Sequence, residues 1–252
     1  MAYSKNKNNS IYYEQHGKGK PVVLIHGGAV SFQNNYVDFG WIERLNESGL
    51  QVIGLDLRGH GKSDKPQDAG SYGTKNLASD VLAVMDELDL DNVSVVGYSL
   101  GSAVALHLIQ AFPERFSKAV LVATGDGLIG LPPFTFSSLL PVLAEVASRS
   151  EYPKDLPSHV AAYWNFVTES GGHFDALSAM AKGDYPPLSL ELAAKIKIPV
   201  MVVSGENDPV LGRGPVLAKS IPSGEYLEIK KADHFNLAAT GSVKNAIATY
   251  LS

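Results

Sequence analysis

The sequence predicts an α/β protein built on a mostly parallel, doubly wound sheet of about eight strands. Three observations lead there. Short apolar, β-branched runs recur along the chain, each followed by a turn and then a helical pattern. Most runs are almost continuously hydrophobic, as strands covered on both faces must be. One long interval without a strand-like run breaks the alternation and marks an insertion.

The runs fall at residues 11–14, 21–25, 51–55, 92–97, 118–123, 198–204 and 225–229. Helical patterns lie between them at 76–88, 102–112, 214–220 and 242–251. In the first of these, Leu77, Val81, Val84, Met85 and Leu88 form one stripe at helical spacing. Strand–helix alternation of this kind implies right-handed crossovers. The interval from 127 to 188 is rich in Pro and aromatics, with helical stretches near 138–148, 157–168 and 174–182. It divides the chain into a core formed by 1–126 and 189–252 and a helical insertion at 127–188.

Composition narrows the chemistry. A chain of 252 residues, 45% hydrophobic and 19% charged, can bury a large core without staples. It has no cysteine, which removes disulfides, thiolate metal ligands and cysteine nucleophiles. Its 21 Lys and Arg against 26 Asp and Glu give a net charge of −5 with no basic stripe, so no nucleic-acid partner is expected. The polar N-terminal decapeptide carries no apolar stretch, and prolines interrupt the greasiest region. The expectation is a cytoplasmic protein with no membrane partner. The seven histidines include no i,i+4 pair, and no metal site is expected.

Two motifs are decoys. Gly125-Asp126-Gly127-Leu128-Ile129-Gly130 has dinucleotide-type spacing, but Pro132 and Pro133 follow where a helix should open. Arg58-Gly59-His60-Gly61-Lys62-Ser63 contains the end of a phosphate-binding loop, yet Asp56 stands where its first glycine belongs.

Gly97-Tyr98-Ser99-Leu100-Gly101 is different, because its context is right. A strand run precedes it and a helical pattern follows, which puts Ser99 on a sharp strand-to-helix turn. Glycines at 97 and 101 avoid Cβ clashes where the turn is crowded. A serine hydroxyl needs a base, and the base an orienting carboxylate. His234 lies just past the run 225–229, and Asp208 just past the run 198–204, at the sheet edge where such folds place their sites. Asp208 is the favoured acid; Asp126 is second, and Glu206 and Asp233 are further rivals. Charge developing on a substrate carbonyl needs prepositioned donors, each worth about 3 kcal/mol. His26-Gly27-Gly28-Ala29 ends an early strand, so the backbone N–H groups of Gly28 and Leu100 are the candidate oxyanion donors. His26 is read as tying loops together, and Asp56, Arg58 and His60 as a hydrogen-bonded loop.

With these residues in place, the chain resembles the α/β-hydrolase superfamily. The matching segments are His26-Gly27-Gly28, the run Asp56 to Ser63, Gly97 to Gly101, Gly205-Glu206-Asn207-Asp208-Pro209 and the late His234. The resemblance implies an α/β-hydrolase fold with a helical cap inserted after the sixth strand. It implies Ser99 as nucleophile, His234 as base and Asp208 as its orienter. Serine at 99, where haloalkane dehalogenases and epoxide hydrolases carry aspartate, argues against both activities. The chain departs from the family pattern at Ala29, where proline is frequent, and at Ser102 and Asp233, where glycine is. A carboxylate at 233 is expected to favour the imidazolium form of its neighbour.

The function expected is a cofactor-free serine esterase, monomeric or homodimeric, acting on small to medium, largely apolar esters. The alternatives keep the triad: enol-lactone hydrolysis, carbon–carbon bond hydrolysis or perhydrolysis. A slow-turnover ligand receptor is a third class. The cap aromatics mostly pack the cap's own core. Ala29, Tyr98, Phe134, Phe136, Trp164 and Phe166 are expected to line a mainly apolar pocket without an anion-binding arginine.

Overall fold

Among the described residues there are eight strands, most of them where apolar and β-branched residues run together. They are β1 (Ala2–Asn6), β2 (Asn9–His16), β3 (Lys20–Ile25), β4 (Leu50–Leu55), β5 (Val93–Tyr98), β6 (Phe116–Val122), β7 (Val200–Gly205) and β8 (Gly224–Ile229). The computed structural model describes residues 2–131 and 158–252. One sheet runs in the order β1-β2-β4-β3-β5-β6-β7-β8. The pairs β1/β2 and β2/β4 are antiparallel and every other neighbouring pair is parallel. Every residue of β5 and of β7 is buried, which accounts for their unbroken hydrophobic reading.

Helices cover both faces. Among them, α1 (Trp41–Asn46), α2 (Thr74–Glu87) and α3 (Leu100–Ala111) precede the long interval. Within it lie α4 (Ser158–Glu169) and α5 (Phe174–Ala181), followed by α6 (Leu190–Ala193). The chain closes with α7 (Pro215–Ser220) and α8 (Gly241–Leu251). On one face Leu77, Val81, Val104 and Leu217 pack with Val23, Val95 and Leu121. On the other, Trp41, Leu45, Val243 and Ile247 pack with Leu24, Val96 and Val120. Alternate residues of each strand therefore feed opposite cores.

The inserted segment after the sixth strand is helical where it is described, at α4 and α5. The stretch expected at 138–148 lies outside the described residues. Thr74 N–H donates to Asp184 O (3.0 Å), which fastens the end of this segment to the start of α2.

Two elements escape the periodicity reading. Strand β1 buries Ser4 and Asn6 instead of apolar residues. Their side chains bond α2: Ser4 Oγ to Ala83 O at 2.9 Å and Asn6 Nδ2 to Asp80 Oδ1 at 2.7 Å. Helix α1 is six residues long, too short to show a stripe. Among the described residues no helix is long and apolar enough to cross a membrane.

The decoys resolve as turns. Gly125 to Gly130 form a single 3₁₀ turn that stops at Gly130 in the left-handed region. In the other, Lys62 N–H donates to Asp56 Oδ2 at 2.8 Å, so this backbone closes on its own loop.

Candidate active site

The site begins with a strained turn. Ser99 sits between β5 and α3 with φ 52° and ψ −110°, outside the usual regions for a residue with a Cβ. Its surroundings hold it there. Ser99 N–H donates to Val122 O (2.9 Å), and its carbonyl accepts from Ser102 N–H (2.9 Å). A Cβ on Gly97 would stand 2.2 Å from Gly101 O, and one on Gly101 would stand 2.1 Å from Ile25 O. The second contact is with β3, so the crowding extends to the adjacent strand. Ser102, a departure from the family pattern, is fully buried and donates to both Gly97 O (2.8 Å) and Val122 O (2.9 Å). Its hydroxyl ties the turn to β5 and β6.

His234 arrives from the loop after β8. Its Nε2 lies 2.9 Å from Ser99 Oγ and its Nδ1 lies 2.8 Å from Asp208 Oδ2. Asp208 comes from the turn after β7, and its Oδ1 accepts from the N–H groups of Val210 (2.8 Å) and Leu211 (2.9 Å). Burial pushes the Asp208 carboxyl upward. The His234 hydrogen bond and charge, with the two backbone donors, outweigh burial and hold it below the usual range. The carboxylate is therefore ionised where it orients the imidazole, and it selects the tautomer with hydrogen on Nδ1. Tyr98 Oη donates to His234 O (2.6 Å), pinning the backbone that carries the ring.

The rival carboxylates are engaged elsewhere. Asp126 Oδ1 accepts from Leu217 N–H (2.8 Å) at the start of α7. Glu206 Oε2 accepts from Lys231 N–H (3.0 Å). Asp233 Oδ1 accepts from the N–H groups of Phe235 and Asn236, both at 2.9 Å, so it braces the turn that carries His234.

Gly28 lies against Leu100: a Cβ there would come 3.9 Å from Leu100 Cβ, so the two residues named as oxyanion donors are neighbours. Leu100 opens α3, where N–H groups have no intrahelical acceptor and the helix dipole is positive. Behind them, His26 and His60 are buried with rings 4.9 Å apart. Leu57 N–H donates to His26 Nε2 (3.0 Å) and Ala29 N–H to His60 Nε2 (3.1 Å). Burial lowers both imidazoles, and with His26 beside it His60 falls to about 3. Both are thus neutral acceptors at pH 7. Asp56 Oδ1 accepts from Phe32 N–H (2.8 Å), and Arg58 pairs with the buried Asp80. This loop holds the backbone at Ala29 and Phe32 and does not line the cavity beside Ser99.

That cavity has a volume of about 400 Å³, the size of a small-molecule site. Tyr98 and Phe166 line it, as does Met180. Among the described residues that line it there is no Lys or Arg. Two expected pocket residues are corrected. Ala29 is buried with φ 66°, its N–H bonds His60 Nε2, and it lines an adjoining cavity of about 200 Å³ instead of the one beside Ser99. Trp164 is buried and stacks on Phe174 at 4.5 Å, inside the insertion's own core. Phe134 and Phe136 lie outside the described residues. Several lining residues were missed. Phe235 directly follows His234 and Val210 lies two residues after Asp208, a signal that could have found them. Asn35 and Met180 carry no such signal.

The chain matches the model of the alpha/beta hydrolase fold family over residues 20–149. It belongs to the α/β-hydrolase family. It is 30% identical over 200 residues to 3-oxoadipate enol-lactonase 2 of Acinetobacter baylyi, covering 73% of this chain and 72% of that one. It is 27% identical over 240 residues to a bifunctional esterase/perhydrolase of Acinetobacter calcoaceticus, covering 84% and 83% respectively. Among solved structures, an esterase from Exiguobacterium antarcticum superposes with a TM-score of 0.79 at 23% identity, over 99% of this chain and 98% of that one. This α/β hydrolase is a hydrolytic enzyme, and its family's fold matches the eight-stranded sheet described above.

Proposed function

We propose that this α/β hydrolase is a serine hydrolase cleaving carboxylic esters of small to medium, largely apolar substrates. The observation that carries the reading is the continuous chain from Ser99 Oγ to His234 Nε2 and from His234 Nδ1 to Asp208, at 2.9 and 2.8 Å. In this mechanism His234 Nε2 removes the Ser99 proton as Oγ attacks the ester carbonyl. The Gly28 and Leu100 N–H groups hold the oxyanion. Collapse of the tetrahedral intermediate breaks the bond to the alkoxy oxygen, which takes the proton from His234 and leaves as alcohol. Water, deprotonated by His234, then attacks the acyl-enzyme; the acid departs and Ser99 regains its proton.

The 400 Å³ cavity sets the substrate size, and its lack of a cation among the described lining residues disfavours anionic acyl groups. A lactone is an intramolecular ester and passes through the same steps, and the relative named enol-lactonase favours it as a second reading. The helical insertion, read as a cap over residues 127–188, supplies Phe166 and Met180 to the cavity wall. The test is turnover of p-nitrophenyl butyrate by the wild type and by Ser99→Ala. The expected loss is about 10⁴–10⁶-fold in kcat with an unchanged melting profile. A variant retaining near-normal turnover contradicts the reading.

A further inference from the structure

Asn35 is 4% exposed, lines the cavity beside Ser99 and has no part in the triad. It lies in a π-type turn, Gln33–Val37, in which Asp38 N–H reaches back to Gln33 O at 3.0 Å. Such turns insert an extra residue and re-aim side chains. The orientation of its carboxamide is fixed by chemistry. Gly27 N–H donates to it at 2.8 Å, and only the amide oxygen can accept. The NH₂ end is therefore the other one, and among the described residues it has no hydrogen-bond partner. A Cβ on Gly27 would stand 3.5 Å from both Asn35 Oδ1 and Ser99 Cβ, so this glycine lies between the carboxamide and the nucleophile.

Nδ2 is not among the fully enclosed unpartnered atoms, so in the free site it is open to the cavity. An all-carbon acyl chain that covers it leaves it unsatisfied and costs binding, whereas an acceptor there removes the penalty. Sites built with such donors discriminate strongly against analogues that lack the acceptor. From this we infer that Asn35 is a substrate-binding residue. Its Nδ2–H donates to an oxygen that the substrate carries close to the scissile carbonyl, so the preferred class is alkoxy-, hydroxy- or keto-substituted esters. The inference rests on the reading of Ser99 as the nucleophile and specifies the substrate of that site. The same side chain, through Oδ1, holds the Gly27 peptide next to the Gly28 donor.

The test uses an isosteric pair of esters, p-nitrophenyl methoxyacetate and p-nitrophenyl butyrate, which differ by oxygen in place of one CH₂. Each kcat/KM is divided by that ester's rate constant with hydroxide, so that intrinsic reactivity cancels. The wild type should prefer the methoxyacetate by about 10-fold after this correction. Asn35→Asp keeps an oxygen for Gly27 N–H and deletes the donor, and Asn35→Ala deletes both. In each the preference should fall to about unity, whatever happens to the absolute rates. Labelling of Ser99 by a fluorophosphonate is followed in every variant. Retained labelling with a lost preference supports the assignment. A wild-type ratio near one, or a ratio that survives in Asn35→Ala while both rates fall together, overturns it and leaves Asn35 only its hold on Gly27. Absent labelling in the wild type would instead refute the nucleophile.

Discussion

Asp208 and Asp126 stand at the ends of neighbouring strands, and sequence alone ranks them without separating them. The structure gives each a different partner: Asp208 faces the His234 ring, and Asp126 faces backbone N–H groups at the start of α7. Asp208→Asn should therefore cut kcat by about 10⁴-fold through loss of the correct tautomer. Asp126→Asn should leave kcat within a few-fold and lower stability by about 1 kcal/mol, as lost helix-start contacts do. Steady-state kinetics with urea melts of both variants check this, and the reverse pattern would reassign the acid. The three candidate catalytic residues were legible because each follows a strand and has a distinctive neighbourhood. Asn35 was not, since its proximity to Ser99 depends on a turn that no periodicity announces. Trp164 was misassigned because an aromatic in an insertion looks the same whether it faces the cavity or packs on Phe174.

At the scale of elements, the strand–turn–helix around Ser99 tolerates nothing larger than hydrogen at two positions. Gly101→Ala would drive a methyl to 2.1 Å from Ile25 O on β3, where the backbone of the central sheet cannot yield. A loss of more than about 3 kcal/mol, or insoluble protein, is expected. Gly241→Ala is the matched control. It lies at the first turn of α8 with nothing within 4 Å of the new methyl, and it should be neutral or slightly stabilising. Thermal melts of the two variants decide; equal behaviour would contradict the packing argument. The parallel strands were legible because burial on both faces writes them as unbroken apolar runs. Strand β1 was not, because the residues it buries are Ser4 and Asn6, whose polar atoms are satisfied by α2. Helix α1 is likewise set by tertiary contact, with Trp41 Nε1–H donating to Ala238 O (2.8 Å) across to the α8 side.

For the whole molecule, the buried histidines tie stability to pH. His26 and His60 are held neutral in the folded chain, with His60 at about 3, while the unfolded chain protonates both near their ordinary value. Below about pH 6.5 the unfolded state therefore binds more protons than the folded one, and stability falls as pH falls toward 3. Asp208 acts in the same direction at the acid end: its depressed carboxyl contributes above the ordinary carboxylate range and loses that contribution as it protonates. Urea midpoints measured at fixed ionic strength should be level from pH 7 to 9 and decline steadily below 6.5. A midpoint unchanged between pH 7 and 4.5 would contradict neutral, buried imidazoles. The parallel strands and both packed faces follow from the hydrophobic pattern, which is why that much of the architecture could be read from the chain. The order of the strands and the antiparallel edge could not. The cavity could not, because it is formed between loops and the insertion, and those surfaces are not periodic.

Hydrolysis at this site requires that residue 99 carry a hydroxyl made reactive by its neighbours. Treatment with a fluorophosphonate, tryptic digestion and mass mapping of the adduct measures this directly. The adduct should fall on Ser99 alone, and it should be lost in Ser99→Ala and greatly slowed in a His234→Ala variant. Adduct on another serine, or labelling of Ser99 at the same rate without His234, would contradict it.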